Sequence, residues 1–250
     1  MPQATFRFYA ELNDFLPRER QRADFAHAFD GHETVKHLIE TLSVPHTEVD
    51  LILVNGDSVG FDYQVREGDW VSVYPMFESM DIKAVSQVRP EPLREPRFVL
   101  DCHLGKLTTY LRLLGFDTIY RNDFDDHELA EISSSDRRIL LTRDRGLLKR
   151  SQVTHGYCVR AKNPKQQVKE ILGRFDLTGL AKPFSRCARC NGLLKPVPKA
   201  EVYDRLEPKT KLYYEEFRIC EACDQIYWKG SHFERMEGFI NGLTYVRYHS

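Results

Sequence analysis

Residues 98–101 read F-V-L-D and residues 139–144 read I-L-L-T-R-D, so an acidic residue follows each of two short apolar runs. Apolar runs of this length, bounded by polar residues, predict buried strands, and helical patterns between them predict a parallel sheet. In open parallel sheets the binding crevice lies at the carboxyl ends of the strands. Asp101 and Asp144 are therefore the first candidates for a functional site.

Strand and helix patterns alternate around these two runs, over residues 97–180. Leucines recur at helical spacing after the first run, and Gly115 stands where a glycine commonly ends a helix. The remaining patterns predict strands at 117–121 and 156–161 and helices at 125–132 and 163–175. This order predicts an α/β three-layer sandwich with a parallel sheet and right-handed crossovers.

Residues 1–80 predict a separate α+β domain. Two strand patterns are followed by the helical stretch T-V-K-H-L-I-E-T-L (34–42) and by the strands V-D-L-I-L-V (49–54) and D-W-V-S-V-Y-P (69–75). This is the order of a β-grasp domain, and the segment resembles ubiquitin-like sulfur carriers. Those carriers end in Gly-Gly, whereas here the chain continues, so we expect a role in protein interaction or scaffolding. Residues 81–96, with three prolines among charged residues, predict a linker.

Charge is distributed unevenly along the chain, which has 250 residues and a net charge of −1. Residues 1–96 carry a net charge of −8 and residues 97–250 a net charge of +7. The basic part holds the acidic strand ends, which suits a polyanionic substrate whose cleavage needs a metal. Since no stretch has the 18 to 20 apolar residues of a membrane span, and the N-terminus lacks a signal peptide's apolar core, we expect a cytoplasmic protein without membrane contact.

Four acidic residues are candidates for one catalytic site. If the first and third strands are neighbours, Asp101 and Asp144 lie side by side, and Asp126 and Glu128, in the first turn of the second helix, point to the same edge. Clustered carboxylates repel one another unless a cation such as Mg²⁺ or Mn²⁺ joins them, and such a cation can orient a water for attack on a phosphodiester. The alternative is that Asp126 is only a helix N-cap and Asp144 part of a solvated turn.

Basic residues flank these acids and predict contacts with backbone phosphates, and the alternative for each of them is a solvated surface charge. Lys106, Arg143 and Arg145 adjoin the acids, and Arg112 lies on the first helix. His103 is open to two interpretations, a metal ligand or acid on one hand and an ordinary histidine on the other. Cys102 and Cys158 are interpreted as small buried hydrophobic residues.

Two C-x-x-C pairs, separated by a hairpin-like stretch, predict a zinc ribbon over residues 181–250. Cys187 and Cys190 form the first pair, and Cys220 and Cys223 the second. In a cytoplasmic protein such pairs indicate metal binding, and four thiolates complete a closed structural Zn²⁺ site. Redox activity is the main alternative.

Four motifs together resemble the Mut-seven C-terminal RNase domain family. They are residues 98–117 (F-V-L-D-C-H-L-G-K-L-T-T-Y-L-R-L-L-G-F-D), 138–144 (R-I-L-L-T-R-D), 187–192 (C-A-R-C-N-G) and 226–232 (I-Y-W-K-G-S-H). The resemblance implies a PIN-like nuclease fold with a C-terminal zinc ribbon, preceded in some members by a ubiquitin-like domain. It also implies metal-dependent ribonuclease activity with Asp101, Asp126 and Asp144 as the acids. Many members have D-x-M-L-G where this chain has D-C-H-L-G, so Cys102 and His103 depart from the family pattern.

The leading hypothesis from the sequence is thus a Mg²⁺- or Mn²⁺-dependent ribonuclease with RNA as its substrate and a structural zinc ion. The alternative is a non-catalytic RNA-binding or adaptor protein, in which the basic face and the ribbon bind RNA and the β-grasp domain recruits a protein partner. A sulfur-transfer accessory is a third hypothesis, against which the missing Gly-Gly end counts.

Overall fold

The computed structural model describes residues 1–75, 85–88, 95–230 and 238. The chain divides into two compact units, residues 1–103 with 121–159 and residues 104–120 with 160–250. Most of the predicted linker, and the ribbon sequence from Ser231 onward except Gly238, lie outside the described residues. In the part of the chain that is described, no helix has the length and apolar character needed to cross a membrane.

The strands are β1 (Gln3–Phe8), β2 (Phe25–Ala28), β3 (Val49–Val54), β4 (Asp57–Ser58), β5 (Trp70–Pro75), β6 (Phe98–Leu100), β7 (Thr118–Tyr120), β8 (Ile139–Thr142), β9 (Gly156–Cys158), β10 (Leu194–Val197), β11 (Phe217–Cys220) and β12 (Ile226–Trp228). The α-helices are α1 (Val35–Thr41), α2 (Gly105–Leu113), α3 (Asp126–Ser135), α4 (Arg145–Leu148), α5 (Pro164–Arg174), α6 (Lys199–Val202) and α7 (Pro208–Tyr213).

The N-terminal part of the first unit is a β-grasp fold, as the sequence predicts. Its sheet has the order β2-β1-β5-β3-β4, with β1 and β5 parallel and the other neighbours antiparallel. Alternating side chains of the strands and one face of α1 form its core, which includes Phe6, Phe8, Leu38, Ile52 and Val73. The Thr34 hydroxyl caps α1 by accepting the N–H of His37.

Three parallel strands complete the first unit. β6 and β9 flank β8, and Leu100 is aligned with Leu141. Every residue of β6, β8 and β9 is buried, which explains their continuous apolar runs. The expectation that the first and third strands of this segment are neighbours is therefore confirmed. The four-residue helix α4, between β8 and β9, was not predicted.

The β-grasp fold contacts the edge strand β9 inside this unit. Glu48 is 1% exposed, and its carboxylate accepts the N–H of Cys158 at 2.6 Å. His46 Nε2 lies 2.9 Å from the carbonyl oxygen of Val153, and the Lys149 ammonium donates to the carbonyl of Glu40 at 2.6 Å. The ubiquitin-like segment thus covers an edge that would otherwise expose an unpaired N–H.

The second unit contains α2, β7, α5 and the cysteine-rich ribbon. Helix α2 ends as predicted in a Schellman motif, because Phe116 N donates to Leu111 O at 3.0 Å and Gly115 N to Arg112 O at 2.9 Å. Gly115 has φ +92°, and a Cβ there would collide with the carbonyl oxygen of Lys182. Only glycine fits this position.

The ribbon is an antiparallel sheet in the order β10-β11-β12. The predicted hairpin-like stretch between the cysteine pairs corresponds to the antiparallel strands β10 and β11, but the connection between them contains α6 and α7, which were not predicted. Val202 and Leu206 of this insertion pack against Phe217 and Ile226 in a small core that Trp228 partly covers. These contacts account for the long spacing between the pairs.

Candidate active site and metal centre

The carboxyl ends of β6 and β8 are joined through one hydroxyl group. Asp101, the residue after β6, is 8% exposed, and its Oδ2 accepts the hydroxyl of Thr142 at 2.7 Å. The same hydroxyl oxygen accepts the backbone N–H of Asp144 at 2.9 Å. Thr142 is fully buried, so its bond to Asp101 is shielded from water, whereas its bond from the exposed Asp144 is only partly buried. A charge-assisted bond of this kind orients the Asp101 carboxylate.

Asp144 is exposed and caps helix α4. Its Oδ1 accepts the N–H of Gly146 at 2.6 Å, whereas among the described residues Oδ2 has no hydrogen bond or ion pair. The interpretation of Asp144 as part of a turn therefore accounts for Oδ1 only. The other is available to a cation or to water.

The two acids of helix α3 have different surroundings. Asp125, not Asp126, is the N-cap, and it forms a capping box with Glu128. The N–H of Glu128 lowers the pKa of the Asp125 carboxyl. Because its carboxylate accepts the N–H of Asp125 at 3.0 Å, Glu128 has a structural role. Asp126 is free of the cap and lies 3.7 Å from the guanidinium of Arg150.

The group of potential metal ligands that contains Asp101 differs from the predicted one. Within the described residues, the groups of three or more potential ligands within 4.8 Å of one another are the four ribbon cysteines and the set Asp101, Cys102 and His103. Asp126 and Asp144 belong to neither group, so the predicted three-carboxylate cluster is not assembled at this distance. A hydrogen bond to Asp101, together with burial, raises the pKa of the Cys102 thiol.

The predicted phosphate-binding cations fall into two classes. Arg143 and Lys106 are exposed, and their side chains make no hydrogen bond or ion pair with other described residues. Lys106 lines a pocket of the second unit with Asn163 and Lys165. Arg145 instead lies over the Phe15 ring and donates to the carbonyls of Phe15 and Asp14 at 3.3 Å.

Arg112 requires a correction. Its side chain is 6% exposed and donates to the carbonyl oxygens of Thr118, Ala188 and Arg189 at 2.9, 3.1 and 2.8 Å. Burial lowers the pKa of this guanidinium. Because three carbonyl oxygens hold Nε and Nη1 and little of the side chain is exposed, the role of Arg112 is structural, and it tethers the first cysteine turn to α2.

The four ribbon cysteines form two turns of the same design. After each pair, Asn191 or Asp224 adopts a positive φ and donates its N–H to the carbonyl of the first cysteine, at 2.9 and 3.0 Å respectively. Both turns direct their thiols to one point, where Cys187 Sγ lies 3.6 Å from Cys223 Sγ and Cys190 Sγ lies 3.4 Å from Cys220 Sγ.

These distances fit zinc. Thiolates about 2.3 Å from a tetrahedral Zn²⁺ are separated by about 3.8 Å, close to the observed values. Burial would raise the pKa of the Cys187 thiol, but hydrogen bonds from the Tyr227 hydroxyl, at 3.0 Å, and from backbone N–H groups lower it to about 7. Burial raises the pKa of Cys190 to about 12. A Cβ at Gly192 would approach Cys220 Sγ to 2.9 Å, so the glycine keeps the site open for its ligands.

Comparison with family models matches residues 96–240 to the Mut7-C RNAse domain and residues 1–81 to the Mut7-C ubiquitin domain. The chain belongs to the Mut7-C RNAse domain family. The resemblance inferred from the sequence motifs is confirmed. The Mut7-C assignment indicates a nuclease-like function, and the Asp101 strand end and the ribbon cysteines both lie inside the matched range.

The solved structures that are similar to this Mut7-C chain match less than half of its length. Two structures of the small archaeal modifier protein 1 from Haloferax volcanii share 16% and 15% identity, with TM-scores of 0.26 and 0.25. Each comparison covers 31% of this chain, and 100% and 99% of the respective modifier chain. A search of curated proteins finds no match.

Thr142 is the residue of this Mut7-C site that sequence reasoning missed. The signal was a hydroxyl residue ending the apolar run I-L-L-T, two positions before the acid. The grouping of Cys102 and His103 with Asp101 was also missed as a set, because the sequence interpreted each residue separately.

Proposed function

We propose that this chain is a metal-dependent ribonuclease that hydrolyses RNA phosphodiesters at the carboxyl ends of β6 and β8. The observation that carries the proposal is the buried Asp101 carboxylate, which the Thr142 hydroxyl connects to the backbone of Asp144. A buried acid held on a rigid strand end, beside a second acid with an unbonded oxygen, suits a hard divalent cation. The Mut7-C RNAse family supports RNA as the substrate.

Asp101 and Asp144 would hold Mg²⁺ or Mn²⁺, with Asp126 as the third acid; Glu128, as a capping residue, is the least favoured of the four. When bound, the cation supplies charge stabilisation for the phosphodiester and lowers the pKa of a water nucleophile. The protein's own residues fix the donors, and Arg143, whose guanidinium has no protein partner among the described residues, would bind a phosphate oxygen. Lys106, which belongs to the second unit and also has no such partner, is proposed to contact phosphate on that unit.

The test is cleavage of mixed single-stranded and structured RNAs by the purified chain with Mn²⁺. Asp101→Asn and Asp144→Asn should reduce cleavage to background, whereas Asp136→Asn should retain it, since Asp136 lies at the opposite end of α3 from Asp126. Full activity in both site variants would disprove the assignment. RNA binding that resists EDTA and is never accompanied by cleavage would favour the non-catalytic RNA-binding or adaptor function.

We also propose that Cys187, Cys190, Cys220 and Cys223 hold one structural zinc ion, because their sulfur positions leave no open coordination site. Protein made under reducing conditions should contain about one zinc per chain, and Cys187→Ser or Cys220→Ser should lose it. The six cysteines form no disulfide, which supports the cytoplasmic location proposed here.

The ubiquitin-like segment is proposed to recruit a protein partner, as the adaptor hypothesis also requires. Its His46–Glu48 turn is already occupied by β9 and Val153 of the same chain. A partner would therefore bind another part of this segment.

A further inference from the structure

Asp101, Cys102 and His103 offer three different donor atoms in one place. One ligand atom from each residue lies within 4.8 Å of the other two. Consecutive residues seldom converge in this way, since neighbouring side chains on a strand point to opposite faces. Here β6 ends at Leu100 and a 3-10 helix begins at Cys102, and this change of backbone conformation turns the three side chains together.

The chemistry of the three donors is selective. Mg²⁺ and Mn²⁺ prefer oxygen ligands, whereas a thiolate and an imidazole favour a borderline cation such as Zn²⁺ or Co²⁺. A carboxylate, a thiolate and an imidazole are all established zinc ligands at about 2.0 to 2.3 Å. Asp101, Cys102 and His103 therefore suit Zn²⁺ better than they suit Mg²⁺ or Mn²⁺, the cations expected for a cluster of carboxylates.

Burial changes stepwise across the three residues. Asp101 is buried, Cys102 is half-buried and His103 is exposed, so one side of the set faces solvent. Three protein ligands with an open fourth position are typical of reactive zinc sites, in contrast to the closed set of four cysteines in the ribbon. Thr142, which donates to Asp101 Oδ2, supplies the outer hydrogen bond that usually orients a metal ligand.

We propose that Asp101, Cys102 and His103 form a second, open transition-metal site that binds Zn²⁺. The proposal concerns metal binding and does not depend on RNA cleavage. Because Asp101 belongs both to this site and to the proposed Mg²⁺ or Mn²⁺ site, we expect the two cations to compete for its carboxylate.

The experiment is a Co²⁺ titration of the full chain, without RNA, after the ribbon has been filled with zinc. Zinc binds a given site more tightly than cobalt, so Co²⁺ leaves the ribbon unchanged. We expect one further equivalent of Co²⁺ to bind with thiolate-to-cobalt charge-transfer absorption in the near ultraviolet. A second equivalent of Zn²⁺ should remove this absorption.

Two ligand variants and two matched controls decide the assignment. Cys102→Ser should abolish the charge-transfer band, and His103→Gln should weaken Co²⁺ binding at least about tenfold. Cys158→Ala and His127→Gln, which remove a thiol and an imidazole outside the set, should leave both unchanged. Zinc content of the ribbon and circular dichroism report whether each variant is folded.

The same absorption in folded Cys102→Ser would identify exchange into the ribbon and overturn the proposal. Absence of any charge-transfer band in the natural protein would also overturn it. A protein that shows the charge-transfer band but does not cleave RNA would contradict the proposed nuclease function and would still support the zinc site.

Discussion

Replacement of Thr142 by valine tests whether one buried hydroxyl organises the strand ends. Valine has nearly the same shape, so the change removes the hydrogen bonds without opening a cavity. It leaves the Asp101 carboxylate without its bond of 2.7 Å and the Asp144 N–H without its acceptor at 2.9 Å. A hydrogen bond to a charged group contributes about 1.5–3 kcal/mol, and an unsatisfied amide costs about 1–3 kcal/mol when buried.

The expected loss is about 3 kcal/mol, because the Asp144 N–H is only partly buried. This corresponds to a fall in Tm of about 6–12 °C for a protein of this size. Thr142→Ser keeps the hydroxyl and removes one buried methyl group, which costs about 1 kcal/mol. Thermal unfolding of both variants, followed by circular dichroism, gives the comparison.

The relative stability of Thr142→Val and Thr142→Ser decides whether Thr142 acts through its hydrogen bonds or through packing. If serine destabilises the protein as much as valine, Thr142 contributes packing and the hydrogen-bond argument is refuted. Mn²⁺ affinity provides a second measurement, since loss of an outer hydrogen bond to a metal ligand typically weakens metal binding about 10- to 100-fold. Unchanged Mn²⁺ affinity in Thr142→Val would remove Thr142 from the proposed site.

Three further predictions address Glu48, the ribbon and the proposed zinc site at Cys102. Glu48→Ala should destabilise the chain by about 1.5–3 kcal/mol in thermal unfolding, because the Cys158 N–H loses a charged acceptor. Glu48→Gln keeps a carbonyl acceptor and should destabilise the chain less. Equal losses of stability in the two variants would contradict this reasoning. Removal of the proposed ribbon zinc by a strong chelator should unfold the ribbon and expose Trp228 to solvent, which would shift the tryptophan fluorescence to the red. An unshifted spectrum after confirmed zinc loss would show that the small core keeps the ribbon folded without the metal. Added Zn²⁺ should inhibit Mn²⁺-supported RNA cleavage. In Cys102→Ser, with rates measured relative to the same variant without Zn²⁺, half-inhibition should require at least about tenfold more Zn²⁺. Identical inhibition of both proteins would show that the inhibitory zinc binds elsewhere.

The fold was largely predictable because its signals are local. Each signal depends on a few neighbouring residues, as in the end of α2 at Gly115, the continuous apolar strands and the paired cysteines. Helix α4 was missed because four residues are too few to show a helical period. The insertion of α6 and α7 was missed because its apolar residues meet only after β10, β11 and β12 have assembled.

The site was predictable only in part, because a side chain's role depends on which groups surround it. Arg112 and Arg143 are both arginines near candidate acids in the sequence. Arg112 is buried among carbonyl oxygens, whereas Arg143 is exposed and has no partner in the part of the chain that the structure describes. Asp125 and Asp126 are adjacent, and only the helix geometry makes the first the cap.

From sequence alone, the hydrophobic period and the turn-forming residues indicated the β-grasp fold, the parallel strands and the acids that follow them, and the resemblance of four motifs indicated the family. The tertiary structure decided what those acids contact. Asp101 and Thr142 are 41 positions apart, and a bond between them exists only because β6 and β8 pair in parallel. Secondary structure follows from interactions between near neighbours, whereas a site requires groups that are distant along the chain to meet at one point in space.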